Sequence, residues 1–185
     1  MIVYLHGFNS SPQSHKAQVL KRYMEERGRG HEYACPALPV SAHAALRAIE
    51  RTVEGREPTC YLGSSLGGFY ATYMVEKHGG KAVLINPAID PHVGLRAHLG
   101  SQKNLYTGEP YELTEKHLEE WRALWVPKVS PERYLLLVES GDEVLDYRRA
   151  VSRYAGAQQC VVEGGDHSLQ SFPSHLARIL AFAGY

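Results

Sequence analysis

The sequence has no surplus of charge of either sign, since 20 lysines and arginines face 20 aspartates and glutamates. With no net field to gather phosphates, neither nucleic acid nor an anionic membrane surface is an expected partner. No apolar run approaches membrane-spanning length. The opening MIVYLHGF also lacks the basic stretch and long apolar core of a secretory leader. A cytoplasmic address follows as the expectation. Cysteine is scarce: Cys35, Cys60 and Cys160 cannot all pair within one chain. Each lies in or beside an apolar run, the usual setting of a buried free thiol. There is no H-E-x-x-H, no C-x-x-C and no close histidine pair, so no metal and no cofactor is expected. The glycines at 63 to 68 are not followed by the Lys-Ser/Thr pair of a phosphate-binding loop. Internal repeats, low-complexity tracts and interdomain linkers are likewise missing.

What is there fits one folded domain of 185 residues, 44% hydrophobic and 22% charged. Six short apolar runs read as strands: Ile2 to Leu5, Glu32 to Cys35, Thr59 to Leu62, Ala82 to Ile85, Tyr134 to Glu139 and Gln159 to Val162. They are continuous rather than alternating, as in a sheet covered on both faces. Helical patterns run between them over Ser14 to Arg27, Ala42 to Glu54, Leu66 to His78, Leu145 to Tyr154 and Pro173 to Phe182. Ser14 and Ser41 stand at N-cap positions, and Gly28 and Gly79 at stops. The alternation predicts an α/β fold, a three-layer α/β/α sandwich around a mostly parallel six-stranded sheet. Asp90 to Pro131 breaks the rhythm with several glycines, Pro110 and a helical run from Glu115 to Trp125. This segment reads as a short cap insertion.

Tyr61-Leu62-Gly63-Ser64-Ser65-Leu66-Gly67-Gly68 ends one strand and opens a helix, the setting in which G-x-S-x-G forms a nucleophile elbow. Side chains two positions either side of the central residue would collide across so sharp a turn, hence Gly63 and Gly67. Ser64 has Leu62 and Leu66 at those offsets, so Ser65 is the candidate nucleophile. In a chain with 17 glycines the pattern alone is merely suggestive; its strand-to-helix position is what gives it weight.

A serine hydroxyl needs a general base, and the base needs a carboxylate to hold its tautomer. In an elbow fold the acid follows a late strand and the histidine follows the last. Asp142 lies in the turn after Tyr134 to Val138, and His167 in the glycine-rich loop after Gln159 to Val162. Asp146, Glu139 and Glu143 stand near enough to compete for the role of acid. Asp166 reads as a loop-structuring residue. The amides of Leu66 and Phe8 are the candidate oxyanion donors, with Gly7 allowing close approach. His6 reads as structural.

Taken together, HGFNSSPQSHK, GSSLGGFYA, LINPA, SGDEVLDYR and EGGDHS resemble the YqiA-like bacterial esterase family of α/β hydrolases across nearly the whole chain. The resemblance implies hydrolysis of acyl esters or thioesters and puts the triad on Ser65, Asp142 and His167. The segment after Pro91 is expected to be shorter than in that family. Asn86, Tyr106 and Trp125 are the expected substrate-lining residues, although Trp121 and Trp125, four apart on a helix, also suit core packing. A short cap predicts an open site, a small-molecule acyl ester or thioester as partner, and a preference for short acyl groups. The competing reading is a protein-binding module on a hydrolase scaffold.

Overall fold

The computed structural model describes residues 1–56 and 60–185. Thr59, expected to open the third strand, lies outside the described residues. Six strands form one sheet: β1 (Ile2–Leu5), β2 (Tyr33–Ala34), β3 (Cys60–Ser64), β4 (Lys81–Ile85), β7 (Tyr134–Glu139) and β8 (Gln158–Val162). Their order is β2-β1-β3-β4-β7-β8, and every pairing is parallel. The helices between them are α1 (His15–Glu25), α2 (Ala42–Val53), α3 (Leu66–His78), α4 (Pro91–Gly94), α5 (Glu115–Ala123), α6 (Tyr147–Arg153) and α7 (Leu176–Ala183).

Strand periodicity divides the apolar runs between two cores. Val3, Leu5, Tyr61, Leu84, Leu136 and Val138 face one side, against residues of α2, α3, α5 and α6. Ile2, Tyr4, Leu62, Val83, Leu135 and Leu137 face the other, against α1 and α7. Three layers result, as the continuous apolar strands imply. Because α1 and α3 cover opposite faces, the chain diverges after β1 and β3. That divergence opens a crevice at their carboxyl ends, the usual ligand position in an open parallel sheet.

Two details depart from expectation. The segment after α4 contains an antiparallel hairpin, β5 (Gly100–Lys103) and β6 (Pro110–Leu113), with Gly100 paired to Leu113. The glycines and proline that break the rhythm of the sequence have their places here: Gly108 turns the hairpin at φ +73 and Pro110 begins a strand. Ser41 caps α2 by accepting the Ala44 amide at 3.3 Å, whereas Ser14 makes no capping bond. All three cysteines are unpaired; burial pushes the Cys35 and Cys60 thiols up to about 12, consistent with inert packing residues.

Candidate active site

At the end of β3 the chain reverses sharply into α3, and Ser65 sits at the bend with φ +53 and ψ −120, a region that side chains normally avoid. The strain is held from several sides. The Ser65 amide donates to the Ile85 carbonyl at 3.0 Å, and the Ser65 carbonyl accepts from the amides of Gly68 and Ala88. A Cβ on Gly63 would overlap the backbone of Gly67, and one on Gly67 would overlap the Leu5 carbonyl. We expect Gly67→Ala to lower stability by about 3 kcal/mol or more, because backbone rather than a flexible side chain must move. Soluble yield and thermal unfolding measure this; a wild-type melting temperature would contradict the packing.

Three side chains meet above this bend. The Ser65 hydroxyl lies 3.1 Å from His167 Nε2, and His167 Nδ1 lies 2.8 Å from Asp142 Oδ2. With Nδ1–H donating to the carboxylate, Nε2 is free to accept the serine proton. The Asp142 side chain is almost fully buried, and its second oxygen accepts the Val144 and Leu145 amides at 2.9 and 2.8 Å. Burial opposes its ionisation, but the bonds from His167 and Leu145 outweigh burial and hold the carboxyl below the usual aspartate range.

The neighbouring carboxylates have other tasks. Asp146 caps α6 by accepting the Arg148 amide, and Glu143 accepts the His167 amide at 3.0 Å. Asp166 accepts the Ser168 amide and the Gln170 side chain, the loop-structuring part read for it. Glu139, 1% exposed, is the larger discovery. One of its oxygens accepts the amides of Asp166 and Gln170, and the other accepts the amide and hydroxyl of Ser171. It therefore ties the loop bearing His167 to the end of β7.

Asn86 belongs to the same arrangement rather than to a substrate wall. It is buried at φ +40, its amide nitrogen donates to the carbonyls of Asp166 and His167, and its oxygen accepts the Glu139 amide. A sequence that reads Asn-Pro at a strand end signals a turn, and gives no hint that the side chain reaches a loop 80 positions later.

Gly7 lies against the elbow, where a Cβ would come within 3.2 Å of the Ser65 Cβ. The Phe8 and Leu66 amides donate to no other protein group among the described residues. His6 is structural: Nδ1 donates to the Gly7 carbonyl and Nε2 accepts the Leu38 amide, while burial lowers its affinity for a second proton. Beside these groups opens a cavity of about 410 Å³, lined by the loop after β1, residues 37–40, Leu66, Tyr70 and the hairpin.

The hairpin's contribution differs from the expected one. Tyr111, not Tyr106, lines the cavity; Tyr106 is half exposed at the hairpin turn. Trp125 packs elsewhere, under the Arg153 guanidinium and beside Phe69 and Ile89. Trp121 is wholly buried and donates from Nε1 to the Tyr70 hydroxyl at 2.7 Å, as core packing predicted. No group of His, Cys, Asp or Glu among the described residues is arranged to hold a metal. No helix there is long and apolar enough to cross a membrane.

A parallel sheet in this order, with a strained strand-to-helix serine and a histidine after the last strand, is the α/β-hydrolase fold. Solved structures agree on that architecture. Mouse alpha/beta hydrolase domain-containing protein 10 superposes with a TM-score of 0.71 at 14% identity, over 97% of this chain and 87% of its own. The esterase domain of a Rhodothermus marinus protein gives 0.68 at 19%, over 98% and 85%. The chain belongs to the UPF0227 family, described as an uncharacterised protein family, whose model matches residues 1–184. A UPF0227 protein of Serratia proteamaculans (strain 568) is 25% identical over 186 residues, 98% of both chains.

Proposed function

We propose that this chain is a serine esterase that cleaves carboxylic esters through an acyl-enzyme on Ser65. The observation that carries the reading is the hydrogen-bonded sequence from Ser65 through His167 to Asp142. Ser65 Oγ attacks the ester carbonyl carbon as its proton passes to His167 Nε2. Asp142 stabilises the resulting imidazolium. The amides of Phe8 and Leu66 donate to the oxyanion, which collapses to expel the alcohol, and Nε2 returns the proton to that leaving oxygen. Water then attacks the acyl-enzyme by the same route, releasing the acid and restoring the serine. The name of the Rhodothermus marinus neighbour, an esterase domain, agrees with this chemistry.

Residues 90–131 act as a short cap in this reading, and the open cavity they help form suits a compact acyl group. No lysine or arginine lines it among the described residues, and its one charged lining residue is Glu109. A coenzyme A thioester would bring several phosphate charges that no residue lining this cavity neutralises, so uncharged esters are favoured. Three unpaired cysteines fit a reducing cytoplasm.

The test pairs a fluorophosphonate probe with a panel of p-nitrophenyl esters of increasing acyl length and matching acyl-CoA thioesters. We expect one adduct, mapped to Ser65, with short esters hydrolysed fastest and the thioesters more slowly by about tenfold or more. Absence of an adduct, together with absence of turnover, would make the chain a binding module instead. Fastest turnover of long chains would refute the compact pocket.

A further inference from the structure

The loop that carries the Phe8 amide is held only in part by its own residues, through the bond from His6 to the Gly7 carbonyl. Asn9 adopts φ +53, where an asparagine is tolerated better than most side chains but still needs support. That support comes from the hairpin, about a hundred positions later. The Tyr111 hydroxyl donates to Asn9 Oδ1 at 2.6 Å, and Asn9 Nδ2 donates to Gln102 Oε1 at 3.2 Å. The Leu105 amide donates to the Asn9 carbonyl at 3.1 Å, and Asn104 Nδ2 to the Ser10 carbonyl at 3.0 Å.

The hairpin groups are themselves oriented for this. Gln102 Nε2 donates to the His98 carbonyl, which turns its oxygen toward Asn9. Asn104 Oδ1 accepts the amides of Tyr106 and Thr107, which turns its nitrogen toward Ser10. The Phe8 ring meets the same elements, edge-on to Tyr111 at 6.4 Å and tilted against His98 at 6.3 Å. Residue 8 is thus gripped by its side chain and by both polar ends of the next residue.

We infer that the β5–β6 hairpin sets the direction of the Phe8 amide, with Asn9 and Tyr111 as positioning residues for the oxyanion hole. This rests on the esterase reading, in which that amide donates to the tetrahedral oxygen. An oxyanion donor is effective only within a few tenths of an ångström of its place, so a slackened loop loses transition-state stabilisation while ground-state contacts persist. The hairpin is then a fixed brace for the chemistry as well as a wall of the cavity.

The experiment compares Tyr111→Phe, Asn9→Ala, Asn9→Asp and the Asn9→Ala/Tyr111→Phe double variant in the full chain. Measured quantities are kcat and KM for p-nitrophenyl butyrate, the Kd of butylboronic acid and the melting temperature. The boronate becomes tetrahedral when it binds a serine, so it reports the oxyanion hole. We expect Asn9→Ala and Tyr111→Phe to lower kcat about tenfold or more, with KM within about twofold and boronate affinity reduced by a similar factor. Asn9→Asp keeps the acceptor for Tyr111 and should retain more activity than alanine. The double variant should be little worse than Asn9→Ala, because that substitution already removes the one bond that Tyr111→Phe deletes. A lowered melting temperature with wild-type kcat and boronate affinity would overturn the inference, as would a rise in KM alone. Should Asn9→Ala fail to fold, Tyr111→Phe, which deletes one hydroxyl, still decides the matter. Wild-type enzyme without turnover or boronate binding would overturn the esterase reading and this inference together; active wild type with unaltered variants would overturn this inference alone.

Discussion

Ser65→Ala should lower ester turnover by about four orders of magnitude or more while leaving the melting temperature within about two degrees of wild type. The hydroxyl is the atom proposed to form the acyl bond, and residual catalysis from oxyanion donors and binding alone is small compared with the intact group. Its structural contribution is one hydrogen bond, to His167 Nε2. The strain at φ +53 is borne by the backbone bonds to Ile85, Gly68 and Ala88, which alanine keeps. The variant should also lose the fluorophosphonate adduct. Turnover surviving at a few per cent of wild type, measured on protein repurified free of contaminating esterases, would mean that another group is the nucleophile.

Glu139→Gln should be damaging in a different way. The carboxylate accepts four hydrogen bonds, three from backbone amides, so all its neighbours are donors. A glutamine has the same shape but presents an NH₂ to two of them, leaving donors facing donors in a buried place. We expect a loss of about 2–4 kcal/mol, or roughly 5–15 °C in melting temperature. Turnover should fall about a hundredfold, since the loop that shifts carries His167. The pH dependence has a definite sign. Burial opposes ionisation of Glu139, yet the bonds from the Ser171 hydroxyl and the three amides hold its carboxyl below the usual glutamate range. Its stabilising contribution is therefore present above the ordinary glutamate value and lost as the pH falls through the depressed one. Wild type should lose that contribution in acid, and Glu139→Gln should show a smaller acid-dependent decline. Equal declines in both proteins would show that Glu139 does not hold this loop.

The elements that obey one-dimensional rules were legible in the sequence. β1 and β7 have the expected bounds, and α3 runs from Leu66 to His78 as read. Their apolar runs are buried on both faces, so composition alone distinguishes them. The elbow was legible because steric exclusion acts between Gly63, Ser65 and Gly67, within five residues of each other. The hairpin was not. Its strands are short and, apart from buried Leu113, half-buried or exposed, and their glycine and proline have the composition of a loop. Nor was the fate of Trp125 or Asn86 legible, since aromatic character and an Asn-Pro turn are equally compatible with a pocket, a core or a buried hydrogen-bonding post.

The layered α/β class and the strained serine were thus readable from residues alone, because backbone sterics and burial periodicity act over short stretches of chain. Which of four nearby carboxylates meets the imidazole, which one holds the histidine loop and which aromatic lines the cavity emerged from the folded arrangement. Those outcomes depend on side chains from separate segments of the chain meeting at the carboxyl ends of the strands. A hydrogen bond between residues 25 or 102 positions apart leaves no periodic trace in the residues between them.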